Sequence, residues 1–91
     1  MTYYVYMLCC ADNTFYTGIT TDIDRRIAEH NNSDRVGARY TRVRRPVQLI
    51  YQTSHANRGD ALREEARIKK MTRKQKEAFV ADKDVSRNID K

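Results

Sequence analysis

Aromatic and β-branched residues fill "TYYVYMLCC" (2–10), and this run predicts a first strand. "ADNT" (11–14) reads as a turn and "FYTG" (15–18) opens a second strand, so the first third is expected to be a β-hairpin. The period then changes. In "TTDIDRRIAEHNN" (20–32), Ile23 and Ile27 lie one turn apart, Thr and Asp precede them and asparagines follow, which predicts a helix with start and stop signals. "SDRVGARYTRVRR" (33–45) is irregular and basic, and "VQLIYQT" (47–53), after Pro46, alternates as a third strand. "GDALREEARIKKM" (59–71) is a strong helix, and Thr72 with Gln75 forms a capping box for a short last helix, "RKQKEAFV" (73–80). The order β-β-α-β-α-α predicts an α+β fold: a small three-stranded antiparallel or mixed sheet flanked by helices. A single domain is expected over residues 1–80, with residues 81–91 as a polar, disordered tail.

Composition narrows the partners. A chain of 91 residues with 33% charged side chains has room for one thin core. Eighteen Lys and Arg against twelve Asp and Glu leave a net charge of +6 and a pI near 9.6. The excess suits a polyanion, nucleic acid first, or else a solvated basic surface. No apolar run is long enough to cross a membrane, and "MTYYVYML" resembles no secretory leader, so a cytoplasmic protein is expected. Adjacent Cys9 and Cys10 are expected to stay reduced as small strand residues. With His30 and His55 far apart in sequence, any metal would be a hard cation held by carboxylate and water.

The candidate chemistry sits on two helices and a hairpin. By helical geometry His30 lies beside the stripe of Ile23 and Ile27, with Arg26 on its border one turn earlier. Either both are ordinary helix residues at the core edge, or both belong to a site. On the second helix Glu65 falls between Leu62 and Ile68, and Glu64 nearer the edge of that stripe. A carboxylate within an apolar face demands a compensating partner: a divalent cation, a lysine such as Lys69, or a structural pairing with Arg26. Tyr4, Tyr6 and Leu8 share one strand face, and Tyr16 joins them only if the hairpin loop has an odd number of residues.

Taken together these residues resemble the GIY-YIG nuclease domain. "YVY" (Tyr4 to Tyr6) stands at its first motif and "YTG" (Tyr16 to Gly18) at its second, with Tyr4 in place of the name-giving glycine and Thr17 in place of isoleucine. The arginine ten residues after Tyr16, the helix carboxylate and the order of elements are also similar, over about residues 2 to 80. "GARYT" and "ALREEARIKK" are most like the small stand-alone members, catalogued as an uncharacterised protein family.

The resemblance implies a DNA endonuclease hydrolysing phosphodiesters with tyrosine-activated water. Tyr16 would be the principal tyrosine, Tyr6 its support or a phosphate ligand, and Arg26 the stabiliser of transition-state charge. His30 would assist in proton transfer or phosphate contact, and Glu65 would hold one Mg²⁺ (or Mn²⁺). Excision-repair members carry lysine just after the second motif, where this chain has Ile19. Arg35, Arg39, Tyr40, Arg42, Arg44 and Arg45, with Lys69, would grip flanking DNA phosphates, or the loop is simply a solvated charge run. Larger members recognise DNA with a second domain, so a protein partner for targeting is a further expectation. Two alternatives stand beside this reading: a basic nucleic-acid-binding module of the same fold without turnover, and a structural protein in which Arg26 and Glu65 form a fold-specifying pair.

Overall fold

The computed structural model describes residues 1–33 and 35–89, with side chains described through Ala81. Strands β1 (Tyr3–Cys9), β2 (Phe15–Thr20) and β3 (Gln48–His55) form one antiparallel sheet in the order β2-β1-β3. Helices α1 (Ile23–Asn32), α2 (Arg39–Arg42), α3 (Arg58–Lys69) and α4 (Arg73–Ile89) complete it. The α+β order expected from the sequence is present, and the sheet is antiparallel throughout. The short helix α2 was not expected and lies within the basic loop. Helix α4 runs on through Ile89, into the stretch read as a polar tail, most of whose side chains lie outside the described residues.

The connection between β1 and β2, residues 10–14, has five residues. Asn13 takes the left-handed conformation (φ 68°) that asparagine tolerates, and its N–H donates to the Cys10 carbonyl at 2.9 Å. This odd length decides the register: Tyr16 faces Leu8 and Gly18 faces Tyr6. Tyr6 and Tyr16 therefore share one face of the sheet. Cys9 and Cys10 are both free thiols.

Each face of the sheet has its own apolar layer. Val5, Met7 and Tyr51 pack with Ala61 and Ile68 of α3 and Val80 of α4. Tyr6, Leu8, Cys10 and Val47 pack on the other face with Ile23 and Ile27 of α1. A β-bulge between Met7 and Leu8 pairs them with Tyr51 and Leu49, leaving Ile50 as the extra residue. Without it Leu49 and Tyr51 would point the same way; with it they serve opposite layers.

Helix ends follow the sequence signals. Asp22 accepts from the Arg25 N–H at 3.1 Å and Asn57 from the Asp60 N–H at 2.9 Å. Thr72 and Gln75 cap one another reciprocally at 3.1 and 2.9 Å. The end of α1 is tied to the basic loop: Arg45 donates to the carbonyls of His30 (2.7 Å) and Ser33 (2.8 Å), and the Asn31 amide pairs both ways with the Val47 backbone (3.2 and 2.7 Å). Among the described residues, no helix is long and apolar enough to cross a membrane.

Candidate active site

An open cleft of about 400 Å³ lies at the edge strand β2 and takes side chains from both faces of the sheet. Tyr6, Tyr16 and Arg26 come from the α1 face, and Glu65 and Leu62 from α3 on the other. Gly18 is what lets Tyr6 reach the edge. A β-carbon there would stand 2.5 Å from the Tyr6 hydroxyl and 2.7 Å from its ring carbon Cζ. Only glycine lets the phenol lie across β2.

Behind the cleft the polar groups form an ordered chain. The Thr41 hydroxyl donates its single proton to the Ala38 carbonyl at 3.0 Å. Its oxygen, 2.7 Å from His30 Nδ1, therefore accepts the ring N–H. Nε2 is left as an acceptor, and the Tyr6 hydroxyl donates to it at 2.9 Å. The arrangement requires a neutral imidazole. Burial, aided by the Arg26 charge, depresses the His30 pKa from 6.5 to about 4. Burial likewise pushes the Tyr6 phenol from 10 up to about 12, against the opposing pull of a hydrogen bond from Arg26. Near neutral pH Tyr6 is a protonated phenol and His30 an uncharged acceptor with no exposed surface.

Arg26 is held from its far side. Its guanidinium donates to Glu29 at 2.8 Å and to the carbonyl of Val36. Glu65 pairs with Lys69 at 3.1 Å and stays about four-fifths buried. Among the described residues no ion pair joins Arg26 to Glu65, so the fold-specifying pair considered from the sequence does not form. Tyr16 meets His30 edge-on (ring centroids 5.1 Å apart) and stacks on Tyr40 of α2 (6.0 Å). The Arg44 guanidinium lies 3.9 Å over the other partner of that stack, the Tyr40 ring, with Asp12 3.0 Å from its Nε.

Helix α3 sits rotated from its expected phase. Ala61 and Ile68 have no exposed surface, whereas Leu62 is 40% exposed and opens onto the cleft. The small Ala61 lets the helix approach the sheet and takes, with Ile68, the buried face that Leu62 was expected to flank. Glu64 and Glu65 then flank the buried stripe at about 50° on either side. Glu64 is engaged by the Tyr51 hydroxyl (3.1 Å) and by Arg67 (2.7 Å), and Glu65 faces the cleft. Of the two carboxylates, Glu65 is the one that lines the cleft.

Of the residues assigned to DNA contact, Arg35, Arg39 and Arg42 are exposed and Tyr40 is 38% exposed. Arg44 and Arg45 are turned to the loop itself, as described above, and Lys69 to Glu65. Sequence reasoning missed Glu29, Thr41 and Arg58. Glu29 had a signal, one turn beyond Arg26. Arg58 had another, since Arg58, Leu62 and Glu65 follow the spacing i, i+4, i+7 and all line the cleft. Thr41 had none, because its partner is eleven residues away.

A single carboxylate lines the cleft, and among the described residues no three His, Cys, Asp or Glu side chains cluster as a metal cage. That donor set suits only a hard cation that keeps most of its water.

The family model of the GIY-YIG catalytic domain matches residues 2–78. A UPF0213 protein of Halobacterium salinarum is 51% identical over 77 residues, which span 85% of this chain and 97% of that one. Two solution NMR structures are similar. The UPF0213 protein BH0048 of Bacillus halodurans is 42% identical with a TM-score of 0.58, covering 89% of this chain and 84% of its own. The protein EF2693 of E. faecalis is 41% identical with a TM-score of 0.63, covering 93% and 88%. With the two tyrosine motifs, the arginine and the carboxylate at one cleft, the chain belongs to the GIY-YIG catalytic-domain family, among its UPF0213 proteins.

Proposed function

We propose that the protein is a divalent-metal-dependent DNA endonuclease that hydrolyses a phosphodiester laid across the edge of β2. One observation carries the reading: Tyr16, Arg26 and Glu65, from three elements on two faces of the sheet, line the same cleft. Phosphodiester hydrolysis needs an oriented water, cations where charge grows and relief for the leaving oxygen. Arg26, fixed by Glu29 and the Val36 carbonyl, offers its planar fork to the phosphate oxygens. Tyr16, half-buried at the cleft, orients and polarises the attacking water through its hydroxyl. Tyr6 keeps its proton, directs it in a hydrogen bond to His30 and steadies Arg26, so Tyr6 and His30 act by positioning.

Glu65 would hold one Mg²⁺ (or Mn²⁺), its other places filled by water and substrate phosphate. When bound, the ion supplies Lewis-acid stabilisation of the phosphoryl charge. Lys69, more than half exposed, would swing out into solvent, and the cation would take its place as the partner of the four-fifths buried carboxylate. Arg35, Arg39 and Arg42 would hold flanking phosphates, while Arg44 and Arg45 keep the loop in shape.

A plasmid-nicking assay tests this. Nicking is expected with Mg²⁺ and not with chelator, and Tyr16→Phe and Glu65→Ala should each lower it at least about a hundredfold. Nicking unchanged in both variants would refute the assignment.

A further inference from the structure

The catalytic groups occupy only part of the cleft. Beyond Thr20 and Thr21 at the strand end, its remaining wall includes Tyr3, Ile19, Leu62 and Arg58. Three features set this wall apart. Leu62 is 40% exposed although Ala61 and Ile68 of its own helix are fully buried, so the core does not account for its position. Ile19, on the edge strand, adds an apolar side chain to the same wall. Arg58 is exposed and, among the described residues, its guanidinium has no ion-pair or hydrogen-bond partner, whereas Arg26, Arg63, Arg67 and Arg73 each pair with a carboxylate.

An apolar strip ending in an unpaired guanidinium matches one chemistry. A nucleotide presents the flat face of a base and the edge of a sugar, and beyond them an anionic phosphate. Arg58 and Glu65 are seven residues apart on α3, about 10 Å along its axis, the span of one nucleotide with its outer phosphate. A base inside a duplex is stacked on both faces and cannot lie against such a strip; an unpaired one can. We infer that the α3 wall is a subsite for an unpaired nucleotide adjoining the scissile phosphate, its base and sugar on Tyr3, Ile19 and Leu62 and its outer phosphate on Arg58. The substrate class is then DNA with a single-stranded segment at the cut. This rests on the nuclease reading only for the place of the scissile phosphate.

The test is equilibrium binding in chelator, where no cleavage occurs. Fluorescence anisotropy would compare labelled oligothymidylate with a blunt duplex of equal length, for the wild type and for Arg58→Ala, Leu62→Ala and Arg63→Ala. Arg63 loses the same charge away from the cleft. Oligothymidylate should bind the wild type more tightly than the duplex does. Arg58→Ala and Leu62→Ala should each weaken it about tenfold, and duplex binding less than twofold. Arg58→Ala should also reduce the salt slope by about one, and Leu62→Ala should leave the slope alone. The subsite is overturned if oligothymidylate has no preference, if Leu62→Ala binds it like the wild type, or if Arg63→Ala matches Arg58→Ala. Single-strand preference with no Mg²⁺-dependent cleavage of either plasmid or labelled oligothymidylate would sink the nuclease reading alone, and nicking without that preference would sink the subsite alone.

Discussion

The Tyr6 hydroxyl donates a hydrogen bond to His30 Nε2 across 2.9 Å, in a region where His30 has no exposed surface at all. Between them these two residues settle a protonation state. His30 can accept from Tyr6 only while neutral, and it remains neutral down to about pH 4 because burial and the Arg26 charge oppose its protonation.

Acid should therefore destabilise the protein before its carboxylates titrate. The unfolded histidine binds a proton near pH 6.5 and the folded one near 4, so between these values protons favour the unfolded chain. The contribution is whole above pH 6.5, declines as the pH falls and is lost by about pH 4, a total of about 3 kcal/mol. Urea unfolding across this range should show the loss in the wild type. In His30→Gln that component should be missing, and an equally steep pH dependence there would contradict the assignment.

Thr41→Val keeps the shape of the side chain and removes the acceptor of the Nδ1 proton. Leaving that buried N–H unpaired should cost about 1–3 kcal/mol in urea unfolding. Nitrogen chemical shifts of the imidazole should show the proton on Nδ1 in the wild type. A proton on Nε2 would reverse the hydrogen-bond chain and with it the role given to Tyr6.

Gly18→Ala should push the Tyr6 phenol off the strand edge, at about 1–3 kcal/mol for overpacking. Nicking should fall further than stability, since Arg26 loses its neighbour. Combining it with Tyr6→Phe should recover part of the stability and none of the activity. No recovery in the double variant would mean that the clash lies elsewhere.

Tyr40→Ala removes the ring stacked on Tyr16 and leaves Arg26, for the phosphate, and Glu65, for the cation, in place. An aromatic pair of this kind is worth about 1 kcal/mol, so the unfolding midpoint should move little. The maximal nicking rate should drop about tenfold with substrate affinity nearly kept, because Tyr16 loses the surface that fixes its ring. A pure affinity loss would instead make Tyr40 a DNA contact.

The parts of this fold that were readable from the chain were those set by local period and short-range chemistry. The hairpin, the capped helices and the reciprocal pair Thr72 and Gln75 each depend on residues within four positions of one another. The shared face of Tyr6 and Tyr16 reduced to the parity of one loop. What escaped was decided by tertiary contact. Helix α2 is a single turn with no apolar period, held by the end of α1 through Thr41 and His30. Leu62 looked like one flank of the buried face with Ile68 as the other, but Ala61 on the same helix took the place nearest the sheet. Arg44 and Arg45 looked like a charge run because an arginine that braces carbonyls and rings has the same letter as one that awaits a phosphate.

Glu65 is fastened to one apolar layer and Arg26 to the other, with only an edge strand between them. Their alignment is thus a property of how two separately packed slabs slide on a common sheet. A slight slip of either slab would leave both cores dry and intact, yet would part the two walls. Loss of turnover should accordingly precede unfolding as urea is raised, which makes the reaction itself the finer gauge of the native arrangement.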